Sequence, residues 1–531
     1  MVLRADNLRA LDGADVDVFV VGGGINGAVS AAALAGRGVP VALVDRGDFA
    51  AVTSQESSNL VWGGFKYLEN YELGLVWKLA ASRNRLLRAY PSAIGQLRFL
   101  ATLDESAPFP PLLAAAGAWA YWGLGRFATG RPRYLRPSSI ERLEPVVDTS
   151  TASAGLEYGD AYLKDNDARF VWGFVRSALD HGAIAANYVA LEGASRHHGR
   201  WQLELHDLVG GARFRATARV VVNAAGPLVD PLNRSLGVAT THRIVYSKGI
   251  HLVVPSLTPS ERVLAFFDDT GRLFYVIPMA DRSVIGTTDT RTDIPDEPVT
   301  DADRTFLLDQ INARLDLAAP LGFDDIIAER CGVRPLVVLD DGDDRTTTDW
   351  TSLSRKHEIE SDRPRSVVTI FGGKLTDCLN VGEEVVEAVA DLGVAVGPAH
   401  DGWYGEAPAT DREAFLAAAG TVGLDRPPLA EREPSVAAGL WRRHGPAAHR
   451  VIDAVAVDPR AGEPILTGSD VLRGELPLFA DREMIVHLDD FLRRRTTLAM
   501  VRRADDLADD PGMAEVCATL GVERPGRTVD R

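Results

Sequence analysis

Three turns of small residues, and a lysine beside the last of them, carry the chemistry legible in this chain. Residues 17–48 read DVFVVGGGINGAVSAAALAGRGVPVALVDRGD, with glycines at Gly22, Gly24 and Gly27 and an acid at Asp45. Gly22 permits a tight turn, Gly24 lets the backbone approach a pyrophosphate, and Gly27 lets a helix pack closely on a strand. Asp45 follows Gly24 by 21 residues, the reach needed to accept from a ribose hydroxyl. The second turn is VVVNAAGP at 220–227, an apolar run ending in Ala225 and Gly226. The third is FGGKLT at 371–376, where Gly372 and Gly373 precede Lys374, Leu375 and Thr376. Backbone N–H groups at such a helix start suit a carbonyl that gains negative charge. The helix dipole disfavours a cation there, so Lys374 reads as an anion-binding residue.

These turns need particular elements around them. A β run at 17–21, an Ala-rich helix at 28–36 and a second β run at 40–44 make the first turn a complete nucleotide-binding βαβ unit. By itself that unit is neutral between FAD and NAD. The later turns shift the balance to FAD, and no second GxGxxG for a nicotinamide cofactor follows. Asp45 then becomes the acid on the adenosine ribose. Asn26 in the first turn, Thr53, Ser54, Ser57 and Ser58 in the polar loop 53–59, and Val189 ending the run 185–189 complete the expected cofactor residues. A helix is expected after Tyr71, another at 168–181, and β-rich segments between 242 and 371. The Gly/Pro/Asp stretch 393–408 is the clearest boundary, and the pattern beyond it is helical.

The composition narrows the function classes. A chain of 531 residues can bury a large core in two or three domains. Its net charge of −17 argues against a general nucleic-acid binder. Cys331, Cys378 and Cys517 are far apart with no CxxC, so neither a disulfide framework nor a cysteine metal site is expected, and a cytoplasmic setting fits. The N-terminal residues carry acids and do not read as a secretory signal. Only six basic residues are lysine against 51 arginines, which singles out each lysine. The uncharged stretch 107–125 opens with three prolines and is too short to span a bilayer. It reads either as a buried core helix or as a membrane-surface helix with Trp119, Tyr121 and Trp122 at the headgroups.

With these motifs in order, the chain resembles the FAD-dependent, quinone-linked glycerol-3-phosphate dehydrogenases. GGGINGA, TSQESSNLVWGGFKYLENYELGLV, YGDAYLKDNDAR, VVNAAGPLV, SKGIHLVVP, FYVIPMADRSVIGTTDT, CGVRPLV and FGGKLT carry the resemblance, with REMIVHLDDFLRRRTTLAM near the C-terminus. It implies an α/β fold: an FAD-binding Rossmann-like domain with an antiparallel β-sheet substrate domain and an α-helical C-terminal cap domain. The FAD-binding parts are expected at 1–95, 156–235 and 346–395, an excursion with the surface helix at 96–155, the substrate domain at 236–345 and the helical domain at 396–531. FAD is the implied cofactor, and no metal is expected. A small anionic polyol phosphate is the implied substrate, quinone or another electron acceptor the partner, and peripheral attachment to the inner face of the cytoplasmic membrane the setting; a homodimer is left open.

Carried over residue by residue, the resemblance makes Arg334 and Lys374 the phosphate ligands, with Tyr67 lining the site and His251 as the base. Thr287, Thr288 and Asp289 shape its floor, although Asp289 equally suits a turn. The family's loop reads SSKLIHGGLRYLE where this chain has SSNLVWGGFKYLE, so Asn59, Trp62 and Lys66 replace a lysine, a histidine and a phosphate-binding arginine. Lysine lacks the bidentate fork of arginine. Three other readings stay open: an FAD-dependent oxidase using oxygen, a dehydrogenase of another phosphorylated polyol or hydroxy acid, and a non-catalytic or RNA-modifying FAD-binding protein.

Overall fold

The structure, a computed structural model, describes residues 2–68, 72–268, 270–340, 356–400, 402–430 and 432–524, without the Lys66 side chain. The runs Asp15–Val21, Val41–Val44, Ile184–Ala186, Arg213–Asn223 and Val367–Phe371 are apolar over most of their length, as strands covered on both faces must be. They form one parallel sheet, ordered 367–371, 213–223, 15–21, 41–44, 184–186, with Glu358–Asp362 antiparallel at one edge. The hairpin Val189–His197 with Arg200–Asp207 joins the near end of Arg213–Asn223. Helices Ile25–Ala35, Asp167–Asp180 and Cys378–Asp391 cover one face, and small alanines let them sit close.

A second sheet of ten strands is built around His242–Pro255. That strand pairs with Ala328–Leu339 on one side and with Arg282–Gly286 on the other. Register places His251 opposite both Gly286 and Arg330, and Ser247 opposite Arg334. Side chains alternate with a period of two, so His251, Arg330 and Arg334 share one face. All pairings in this sheet are antiparallel except Val263–Phe267 with Ile94–Leu103.

The sequence reading assigns residues from 156 to the nucleotide domain, and here the structure differs. Ala154–Leu163 pairs along its whole length with Ile94–Leu103 in the second sheet. Leu60–Val61 also pairs with Ala154–Leu163, and from Ile94 the chain stays out of the nucleotide sheet until Asp167–Asp180 brings it back. The run YGDAYL reads as a strand, but nothing in its own pattern says which sheet it joins.

Pro111–Leu124 is a helix, and only Ala114, Ala118 and Tyr121 are buried in it. Leu112, Leu113 and Trp119 stand in the open, so the reading as a buried core helix does not hold. No helix among the described residues is long and apolar enough to cross a membrane. The acidic stretch 340–349, beyond its first residue, lies outside the described residues.

The C-terminal domain packs Ala409–Thr421, Val436–His444, His449–Val457, Leu476–Arg482 and Met513–Leu520 around its own apolar clusters. A π-helical turn, Asp490–Arg495, carries three consecutive buried arginines back to the nucleotide domain. Arg494 and Arg495 both donate to the buried Asp48 carboxylate, with Arg495 making two bonds at 2.8 and 2.9 Å. Arg494 also donates to Gln55 Oε1, and Arg493 to the Gln55 carbonyl, fixing the start of the polar loop.

Candidate active site

The glycine turn is shaped by backbone contacts. A Cβ on Gly27 would lie 1.8 Å from the Gly22 carbonyl oxygen, so the first helix turn and the strand end meet at van der Waals distance only because position 27 has no side chain. Gly24 caps helix Ile25–Ala35 with no side-chain acceptor, and the first turn holds no acid. That end is therefore suited to a phosphate. Asp45 accepts from the N–H groups of Gly23 and Gly47 at 2.6 and 2.8 Å. Burial pushes its carboxyl up to about 6, against the pull of those two bonds. Val189 donates its N–H to the Asp45 carbonyl at 2.7 Å, which places it at the same end. The Asn223 side chain accepts from the Ala225 N–H, just before Gly226 in its positive-φ turn.

Asn26 joins the first turn to the third: its Nδ2 donates to the Gly372 carbonyl at 2.8 Å, while its Oδ1 is buried without a hydrogen bond. An orphaned buried acceptor at Asn26 and a helix start that its own cap residue, Gly24, leaves without a side-chain acceptor fit an elongated dinucleotide cofactor.

A cavity of about 310 Å³ opens at the other end of this groove. Of the residues picked from the sequence, it brings together Thr53, Ser54, Ser57, Ser58, Tyr67, His251, Asp289 and Arg334 with Gly372, Gly373, Lys374, Leu375 and Thr376. The glycines of the first turn, Asn26, Asp45, Val189, Ala225 and Gly226 do not line this cavity and sit at the nucleotide end. Thr53 donates to the Val333 carbonyl at 2.7 Å, and Ser54 Oγ accepts from the Ile25 N–H at 3.0 Å. The Ser57 N–H donates to Asp167 at 2.7 Å, and its hydroxyl accepts from the Asn59 N–H.

His251 is almost fully buried, with Nε2 3.0 Å from the Ser58 hydroxyl. Its Nδ1 has no hydrogen-bond partner among the described residues. Burial, with the charges of Arg330 and Arg334, holds the ring well below the ordinary histidine range, so it is neutral at pH 7. Arg334 donates to Thr287 Oγ1 at 2.9 Å and pairs with Asp289 at 3.3 Å. Gly249 makes room for it, because a Cβ there would lie 2.2 Å from the guanidinium. The Lys374 ammonium stands 3.9 Å from the centre of the Tyr67 ring, a cation–π contact.

Of the three expected floor residues, Thr287 and Asp289 line the cavity and Thr288 does not: its hydroxyl accepts from the Ile250 N–H. Asp289 holds Arg334 and Arg272 and accepts from Ser247. It acts as a brace for cations. Of the three replaced loop residues, Trp62 lines the cavity. Asn59 turns inward in a left-handed conformation, with its amide between the Asp165 carbonyl and Arg330. The Lys66 side chain lies outside the described part.

Sequence reasoning missed Arg330, which donates to Asp167 at 2.8 Å and to the Gln55 carbonyl at 2.9 Å beneath the serine loop. It also missed Arg272 and Tyr275 on the cavity wall. In a chain with 51 arginines, residue type alone marks neither arginine. The one signal for Arg330 was its place just before the quoted CGVRPLV.

Comparison with known proteins agrees with this geometry. Residues 17–358 match the family model described as FAD dependent oxidoreductase, and residues 412–520 match the C-terminal domain of alpha-glycerophosphate oxidase. The aerobic glycerol-3-phosphate dehydrogenase of Escherichia coli is 30% identical over 511 residues, covering 92% of this chain and 95% of that protein. The glycerol-3-phosphate dehydrogenase of Pseudomonas aeruginosa is 31% identical, with 91% and 92% covered. Among solved structures, the glycerol-3-phosphate dehydrogenase of Bacillus halodurans complexed with FAD superposes with a TM-score of 0.73 at 22% identity, covering 98% and 93% of the two chains. The FAD-bound L-alpha-glycerophosphate oxidase of Mycoplasma pneumoniae gives 0.55 at 16% identity, covering 74% of this chain and 98% of that one.

Proposed function

The chain belongs to the FAD-dependent oxidoreductases and is an FAD enzyme, and from that premise we propose that it oxidises sn-glycerol 3-phosphate at C2 to dihydroxyacetone phosphate. The observation that carries the reading is the meeting of a neutral buried imidazole, Arg334 and Lys374 in one cavity beside the FGGKLT turn. Arg334 and Lys374 bind the phosphate, and Asp289 and Thr287 hold the Arg334 fork in position. In the tautomer that keeps a proton on Nδ1, His251 takes the Ser58 hydroxyl proton on Nε2 while Ser58 takes the C2 hydroxyl proton, so the serine relays it to the ring. FAD, when bound, supplies the acceptor for the hydrogen and electron pair leaving C2, and quinone then takes the electrons. Apolar Trp62, Leu79 and Leu273 on the cavity wall support exclusion of water from the reacting carbon.

The test is anaerobic addition of sn-glycerol 3-phosphate to the yellow holoprotein. The flavin band should bleach, with dihydroxyacetone phosphate formed in equal amount. Bleaching only by another polyol phosphate or a hydroxy acid replaces the substrate, a reading favoured by Trp62 standing on the wall. Flavin that no such alcohol reduces removes the enzyme mechanism.

Membrane-surface attachment belongs to the same reading. Trp77 of helix Leu73–Ala89 joins Leu112, Leu113, Trp119 and Phe127 as large apolar side chains in the open, and the Arg126 guanidinium lies over the Trp77 ring at 5.9 Å. Leu112→Asp with Leu113→Asp should abolish co-sedimentation with anionic phospholipid vesicles; unchanged binding would remove this face from the attachment.

A further inference from the structure

A second cavity, of about 460 Å³, shares no lining residue with the catalytic one. It lies between helix Asp167–Asp180 of the nucleotide domain and helices Val436–His444 and Leu476–Arg482 of the C-terminal domain. Five arginines line it. Arg169 is engaged by Glu483, Arg176 by Asp180, Arg442 by Asp165 and Glu433, and Arg443 by Glu475. Arg482 has no hydrogen bond or ion pair among the described residues.

The surroundings of Arg482 leave its charge uncompensated. Partial burial and the positive charges of Arg176 and Arg450 work against its guanidinium. Asp180 and Glu483 oppose them, but each is already bonded to another arginine. Glu406, the remaining carboxylate on the lining, accepts from the N–H groups of Ser92 and Ala93, both at 3.0 Å. The walls are aromatic, with Tyr90, Phe170, Trp172 and Trp441 facing the space. An arginine fork above apolar walls recognises an oxyanion attached to an apolar body.

We propose that this seam is a binding site for a small organic anion, in which a phosphoryl or carboxylate group lies against Arg482 and its apolar body lies on the aromatic wall. The anion neutralises the one arginine of this lining that lacks a partner among the described residues, and it bridges the two domains. The site is independent of the proposed reaction, since none of its residues reaches the catalytic cavity.

The holoenzyme is titrated with phenyl phosphate and with benzoate by calorimetry, and its thermal unfolding is followed with and without each probe. Arg482→Gln should bind the recognised probe at least tenfold more weakly at one class of sites and should lose the thermal shift. Without probe it should unfold no lower than the parent, because it removes a repelled charge. Loss confined to phenyl phosphate assigns a phosphoryl ligand; loss confined to benzoate assigns a carboxylate. Equal affinity in parent and Arg482→Gln overturns the proposal, as does failure of the parent to bind either probe.

Discussion

At the nucleotide end of the groove, the first turn is shaped largely by residues close in sequence: the Gly22 carbonyl against Gly27, and Asp45 on the N–H groups of Gly23 and Gly47. At the substrate end they come from far apart. His251 meets Ser58 across 193 positions, Arg334 rests on Thr287 and Asp289, and Arg493 reaches the Gln55 carbonyl from 438 positions away. The fit of Gly27 on the Gly22 carbonyl is one that no side chain at position 27 can reproduce. The distant contacts run through side chains that can be exchanged one at a time. One end is therefore rigid in sequence, and the other is where a family can change its substrate.

Breaking the rigid end should have the largest effect. Gly27→Ala puts a methyl where only 1.8 Å is free, so the variant should be recovered colourless, with FAD and activity both lost. Recovery of a yellow, active variant would show that the turn yields and would erase the contrast. At the exchangeable end, Arg334→Ala and His251→Ala should stay yellow. Removing a positioned cation or base costs on the order of 10²- to 10⁴-fold in turnover. Stopped-flow flavin reduction checks this, and near-parental rates would take either residue out of the mechanism. Because His251 is neutral far below pH 6.5, reduction should hold its rate on acidification past the ordinary histidine range. A fall centred near 6.5 contradicts that.

A middle-sized effect tests the brace behind FGGKLT. His357 pairs with Asp377 at 3.3 Å and Glu384 at 2.8 Å. Burial opposes its charge, yet the two carboxylates raise its pKa to about 9. The folded state thus holds this proton more tightly than the unfolded one. The stabilisation is whole below pH 6.5 and is lost as the pH rises through 9, a loss on the order of 3 kcal/mol. Denaturant midpoints measured from pH 6 to 10 should fall, and should stay flat in His357→Gln. The smallest effect is expected for Lys66→Arg, which restores the fork to the exchangeable loop. Activity on glycerol 3-phosphate should stay equal or rise, and a collapse would mean that the cavity serves another anion.

The same contrast explains how much the sequence discloses. The βαβ unit, the turns at 225–226 and 372–373, and the helical tail are legible because each depends on short-range spacing. Ala154–Leu163 reads as a strand, but its sheet is set by pairing with Ile94–Leu103, some sixty residues earlier, which no local spacing encodes. The FGGKLT turn itself singles out Lys374, and resemblance adds His251 and Arg334. Neither could show that Thr288 faces a backbone N–H or that Asp289 serves Arg334, since both follow from the register of neighbouring strands. Asn59 illustrates the reverse. Replacing the family's lysine reads as a lost cation, while the structure spends the residue on a left-handed turn held by Arg330.

The arginine turn at Asp490–Arg495 bears on the order in which this protein is made. Asp48 leaves the ribosome early, and the two guanidinium groups that neutralise it emerge more than four hundred residues later. Until then the nascent chain carries a carboxylate that cannot be buried as an ion without large cost. The Asp48 cluster therefore assembles only when translation has passed residue 495, and products terminated before it leave Asp48 without these two partners.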